Sequence, residues 1–199
     1  MKKENKDTAL KYLNQGAGSM LDAALMALFG LGVICFFAYS KFLAIPLIVV
    51  PVVLVIFIRG SKIKDSEYER ELDLVLRDGD IQRKASNILA EYDVSVQPVR
   101  IGADKIARSP VFSIAKFDFS DDSCLLTHTV VNIVEKTCQS KEYKIEKGAK
   151  CEIVQKQHQL KSGKIKADYL TLNSYPELLM PVPRLSYDAE NIVKKINGK

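Results

Sequence analysis

Two histidines and four cysteines are the residues of this chain with the most chemistry in them. His128 follows Cys124 by four positions, and His158 follows Cys151 by seven. Two thiolates and two imidazoles can satisfy a tetrahedral zinc ion, so the set Cys124, His128, Cys151 and His158 can be drawn. Structural zinc sites, however, place their ligands in close pairs on turns. These four fall within runs that read as β-strands, so partly buried strand residues and no metal are expected. No CxxC spacing occurs, and Cys35 lies in an apolar stretch, so the thiols are expected to stay reduced. Asp118, Asp121 and Asp122 crowd a predicted turn, where Asp is favoured for backbone reasons. GxSxG, HExxH and phosphate-cradling Gly-rich motifs are absent. The residues assemble no catalytic set, so neither an enzyme nor a cofactor is expected.

The basic residues are more promising. The formal net charge is +5 over 199 residues. Between Lys141 and Lys166 there are eight lysines against Glu142, Glu146 and Glu152. Such an excess suits an anionic partner, and lysines near an anionic headgroup surface contribute about 1 kcal/mol each. The plainer alternative is a set of solvated strand faces and hairpin tips. Nucleic acid would call for aromatic side chains between the cations, and Tyr143 alone offers one there, so nucleic acid is not expected.

The elements that position these residues divide the chain into four parts. Residues 1–19 read as a cytoplasmic tail. Met20 to Ile58 is almost wholly apolar, with Asp22 and Lys41 as its charges. About 20 apolar residues cross a bilayer, so this run predicts a transmembrane helical hairpin over residues 20–59, turning at Ser40-Lys41. Lys2, Lys3, Lys6 and Lys11 before it, and Arg59, Lys62 and Lys64 after it, put both termini in the cytoplasm. The expected protein is thus two-pass, in the cell membrane, with the lipid bilayer as a partner. Ala23, Ala27, Gly30 and Gly32 give the first helix a small-residue face for close helix packing, with the second helix or with another copy in a homo-oligomer. Pro46 and Pro51 should bend the second helix. Asp22 reads as a cap beside Ser19.

Residues 60–92 read as a helical connector. Tyr68, Leu72, Val75 and Leu76 form one amphipathic stripe, and Ile81, Ala85, Ile88, Leu89 and Tyr92 a second. Asp78-Gly79-Asp80 breaks the helix between them, with Asp80 as the next cap. From Asp93 the pattern turns to β. Val111 to Phe119, Cys124 to Glu135, Tyr143 to Ile145, Cys151 to Leu160, Ile165 to Leu172 and Leu178 to Val182 give, with Val94-Val96, about seven antiparallel strands. Ser162-Gly163 marks a hairpin, and Asp188 to Ile196 a closing helix. The predicted class is therefore an α+β membrane protein: a hairpin, a connector, and a β meander or barrel with a C-terminal helix.

That strand order, ending in the helix Asp188-Ala-Glu-Asn-Ile-Val-Lys-Lys-Ile196, resembles the pleckstrin-homology-like domain of bacterial two-helix membrane proteins. The resemblance covers about residues 93–195 and lacks the Trp that eukaryotic relatives carry in the last helix. It implies that Arg100, Lys105 and Arg108, around the first loop, contact a lipid headgroup or another anionic ligand. The expected function is a membrane-anchored interaction or scaffold module. Its cytoplasmic β-domain, residues 93–199, would recognise a protein partner or an anionic lipid headgroup. The alternative is a ligand-gated, nucleotide-sensing effector whose hairpins oligomerise and perturb the bilayer.

Overall fold

The computed structural model describes residues 2–15, 20–38, 41–60, 62–146, 148–160 and 163–198. They form an α+β structure of five helices and nine strands. It divides into two compact units. One joins Met1–Leu13 to Asp65–Lys199, and the other is Asn14–Lys64.

In the larger unit, α1 (Lys2–Asn14) and α4 (Asp65–Asp78) accompany a β-domain of β1 (Ile88–Tyr92), β2 (Arg100–Ile101), β3 (Ala107–Arg108), β4 (Val111–Phe119), β5 (Ser123–Asn132), β6 (Thr137–Glu146), β7 (Cys151–Leu160), β8 (Gly163–Leu172) and β9 (Tyr175–Val182), closed by α5 (Tyr187–Ile196). The strands make three antiparallel sheets: β1-β4-β5-β6, the short β2-β3 ribbon, and β7-β8-β9. Of the seven expected strands, Val94-Val96 is a turn, and the strands not expected are β1 and the two-residue pair β2 and β3, which no period reveals. The expected barrel is not closed, because β6 and β7, consecutive in sequence, end separate sheets instead of pairing.

Alternation along β4 and β5 supplies the main core. Ala115, Phe117, Cys124 and Leu126 from the first sheet meet Leu170, Leu172, Met180 and Val182 from the second. Helix α5 adds Ala189, Ile192 and Ile196, three residues at helical spacing. Its start is fixed by Ser186, whose Oγ accepts the Ala189 amide at 3.2 Å. A second apolar layer involves α4, which buries Tyr68, Leu72, Val75 and Leu76. Tyr68 lies 6.2 Å from the Tyr92 ring, which in turn meets Phe112 edge-on at 4.9 Å.

The stretch expected to hold a second connector helix ends in a strand. After α4 the chain turns at Gly79, and Asp80 adopts φ 52° instead of capping a helix. Ile88 to Tyr92 then pairs with β4 from Ile88↔Lys116 to Tyr92↔Phe112. The expected tail 1–19 also contains structure: α1 buries Ala9, Tyr12 and Leu13.

The smaller unit consists of α2 (Met20–Ala38) and α3 (Lys41–Gly60). The two helices pack on each other at Gly32, where a Cβ would sit 2.9 Å from Ile48 Cγ1 and from the Leu47 carbonyl carbon. The expected transmembrane hairpin, two-pass topology and cell-membrane localisation are corrected here. Among the described residues no helix is long and apolar enough to cross a membrane. Each helix carries charge in its terminal turns, Asp22 in α2 and Lys41 and Arg59 in α3. Ser19 and Ser40 lie outside the described residues, as do the side chains of Asp22, Ala23 and Lys41.

Candidate interaction surface

The three cations around the first loop do not form one open patch. Arg108 is 2 % exposed. Its two terminal nitrogens donate to Asp104 Oδ1 and Oδ2 at 2.8 and 2.6 Å, and its Nε donates to Glu69 Oε1 at 2.8 Å. That hydrogen bonding holds the Asp104 carboxyl down to about 2 and raises Arg108 above its already high ordinary value. Arg100 lies 4.3 Å from the centre of the Tyr12 ring and donates to the Tyr12 carbonyl at 2.8 Å. Tyr12 stacks on Tyr68 at 4.5 Å and donates to Asp65 at 2.8 Å. Gly102 leaves the necessary space, since a Cβ there would meet Arg108, Asp65 and Asp104 within 2.5–2.7 Å. Arg100 and Arg108 thus fasten α1 and α4 to the β2-β3 ribbon. Lys105 sits apart, exposed, at the ribbon's turn with φ 65°.

The zinc candidates are also dispersed. Cys124 and Cys151 are buried in the inter-sheet core, and burial pushes their thiols up to about 11 and about 12, so both hold their protons. No group of three metal-ligating side chains occurs among the described residues. His128 Nε2 bonds Ser113 Oγ at 2.8 Å. Burial lowers its pKa, and the Asp93 charge partly opposes that. His158 Nε2 lies 3.0 Å from the Tyr169 hydroxyl, which reaches Asp93 at 3.3 Å. Both histidines therefore serve as polar partners inside the domain. Ser113 is 3 % exposed and has no open approach for a substrate.

Exposed lysines also lie on β6 of one sheet and on β7 and β8 of the other. Lys141 and Lys144 on β6, Lys150 before β7, Lys156 on β7, and Lys164 and Lys166 on β8 are all exposed. None of them makes an ion pair among the described residues, although Glu142, Glu146 and Glu152 lie close in sequence. Lys147 and Lys161 lie outside the described residues, as does Ser162 of the expected hairpin signal. Register sorts the six. Gln157 faces Lys166 and Gln159 faces Lys164, while Lys156 pairs with Ala167 on the opposite side. Gln155, Gln157, Gln159, Lys164 and Lys166 therefore share one face of the β7-β8 ribbon with Asp168, whose Oδ1 accepts from the Gln155 amide at 3.1 Å. The lysine excess is legible in local composition, whereas the glutamines gain meaning only from the strand register. Their period of two was the available signal.

Of the four strands that end the two large sheets, β6 and β7 carry the lysines. The Asn197 side chain closes β7 at Cys151, accepting from its amide at 2.9 Å and donating to its carbonyl at 3.0 Å. Tyr175 donates to the Lys144 carbonyl of β6 at 3.0 Å. The rest of β6 and β7 has no strand beyond it among the described residues. Among the described residues the two sheets pack apolar side chains against each other, and clefts of about 440 Å³, between the β4-β5 turn and the end of α5, and about 730 Å³, lined by Lys150, Glu152 and Lys156, open at the surface. The arrangement can present cations, amides and strand edges to a partner. Comparison with known proteins yields no match among family models, curated proteins or solved structures.

Proposed function

We propose that the β-domain is an interaction module that docks an acidic segment of a partner protein on β6, β7 and β8. The observation that carries this reading is the set of six exposed lysines without ion-pair partners, placed on and beside two sheet-ending strands. Unpaired cations on a rigid scaffold favour encounter with an anionic partner, and the amides of Gln155, Gln157 and Gln159 add hydrogen-bond donors and acceptors. The apolar inter-sheet core supports docking at a surface over the alternative of a sensor holding a small ligand inside a barrel.

The test uses the full chain and a fluorescein-labelled polyglutamate peptide followed by anisotropy. The triple variant K141E/K164E/K166E should bind it at least about tenfold more weakly than wild type, with thermal stability unchanged. Equal binding by both proteins would refute the assignment. So would a wild type that ignores the peptide and binds only phospholipid vesicles carrying anionic headgroups.

A further inference from the structure

Strand β7 has one side that no other strand occupies among the described residues. In an antiparallel ladder the N–H and C=O of a residue point to the same side of its strand, and consecutive residues alternate between sides. At Cys151 both groups are taken by the Asn197 side chain, so Cys151 points away from β8. Ile153, Gln155, Gln157 and Gln159 therefore point the same way, while the even-numbered residues from Glu152 to Leu160 face β8. The four outward residues are exposed and cover about 20 Å of strand. Each offers one N–H and one C=O.

The opposite edge of the same sheet is built differently. Strand β9 carries Pro176 and Pro181, which have no N–H to offer, and its pairing with β8 shifts register between Leu170 and Leu172. Strand β7 has no proline and pairs with β8 in unbroken register from Cys151 to Leu160, so its outer side is a regular row of donors and acceptors. What the β7-β8 hairpin carries instead is charge. Between Ile153 and Lys166 the sequence has four lysines and no acid. Like charge opposes addition of a second copy at this edge, and the glutamines and lysines along it give an apolar strand little to bury against.

Given the interaction module proposed above, on which this reading rests, we infer that the partner's acidic segment joins the β7-β8-β9 sheet as a further strand, hydrogen-bonded to the backbone of Ile153, Gln155, Gln157 and Gln159. An extended acidic chain meets both demands of the site. Its main chain pairs with the outward row, which supplies affinity, and its side chains meet the faces of the sheet, which supplies selectivity. Neighbouring strands lie about 4.8 Å apart, so carboxylates beside β7 reach Lys156 directly and the long Lys164 and Lys166 side chains one strand further in. Asn197 marks one end of the site, because it already holds the backbone of Cys151.

The test uses the full chain and two fluorescein-labelled polyglutamate peptides of equal length and charge, one of them methylated at every second backbone nitrogen. Methylation removes the donors an added strand needs and leaves the carboxylates in place. The unmodified peptide should bind at least about tenfold more tightly than the methylated one. Amide exchange then locates the contact. With the unmodified peptide bound, the outward amides of Gln155 and Gln157 should exchange at least about tenfold more slowly, while those of Ser140 and Glu142 on β6 keep their free rates. Equal affinity for the two peptides would overturn strand addition and leave the lysine surface standing as a docking site. Unchanged exchange at Gln155 and Gln157, or protection on β6 in their place, would overturn it too. If neither peptide binds, the interaction module itself fails, and strand addition fails with it.

Discussion

Arg108 meets Asp104 through two parallel N–H···O contacts and Glu69 through a third, at 2 % exposure. Taking a guanidinium out of water costs several kcal/mol unless carboxylates replace the lost hydration, and here two of them do. Replacing Arg108 by Met keeps the volume and removes the charge. Asp104 and Glu69 then face each other without a cation between them. Both are partly exposed, which softens the penalty, so a loss of about 2–3 kcal/mol is expected from chemical denaturation. A residue reserved for an external ligand would show no such loss. The sequence displays the charge of Arg108 but not its partners. Asp104, four residues earlier, was a visible hint. Glu69 lies 39 positions away on another element, and nothing local announces it. The lysines of β6 to β8 were legible for the converse reason: their side chains engage no distant acid, so local composition describes them well.

Among elements, the long strands β4, β5, β7 and β8 were readable because each has one face toward the core, which leaves a period of two. Strand β1 lacks that imbalance. Leu89 enters the inter-sheet core while Ile88 and Tyr92 are buried with the layer near α4, so both faces are apolar. Positions i, i+1 and i+4 then mimic a helix stripe, and the period misleads. Helix α1 was read as a tail for a related reason. Its sequence is Lys-rich, and the groups that retain it come from Asp65, Tyr68 and Arg100. Tyr12 gathers all three: it stacks, donates through its hydroxyl, and accepts through its carbonyl. Tyr12→Ala removes the ring and the hydroxyl together. A loss of about 2–3 kcal/mol from the α1 contact should raise amide exchange in residues 8–14 by roughly a hundredfold. The α5 amides, capped by Ser186 and packed in the other core, should keep wild-type rates. Uniform acceleration in both helices would mean that α1 is part of the global core and not a separately held element.

For the whole molecule, charge and apolar surface are segregated. The described side chains of α2 and α3 over 24–37 and 45–56 are uncharged, while the six exposed lysines between residues 141 and 166 lie in the β-domain. Residues 20–59 read from the sequence as two spans turning at Ser40-Lys41, whereas among the described residues no helix is long and apolar enough to cross a membrane, and the same composition leaves apolar side chains exposed on α2 and α3. Exposed charges are screened beyond about 10 Å at 0.1 M ionic strength. Raising sodium chloride from 50 to 300 mM should therefore weaken polyglutamate binding by about tenfold, followed by anisotropy. Binding that stays constant over this range would mean that the lysines do not carry the contact, because an ammonium–carboxylate attraction at an exposed strand cannot escape the added ions.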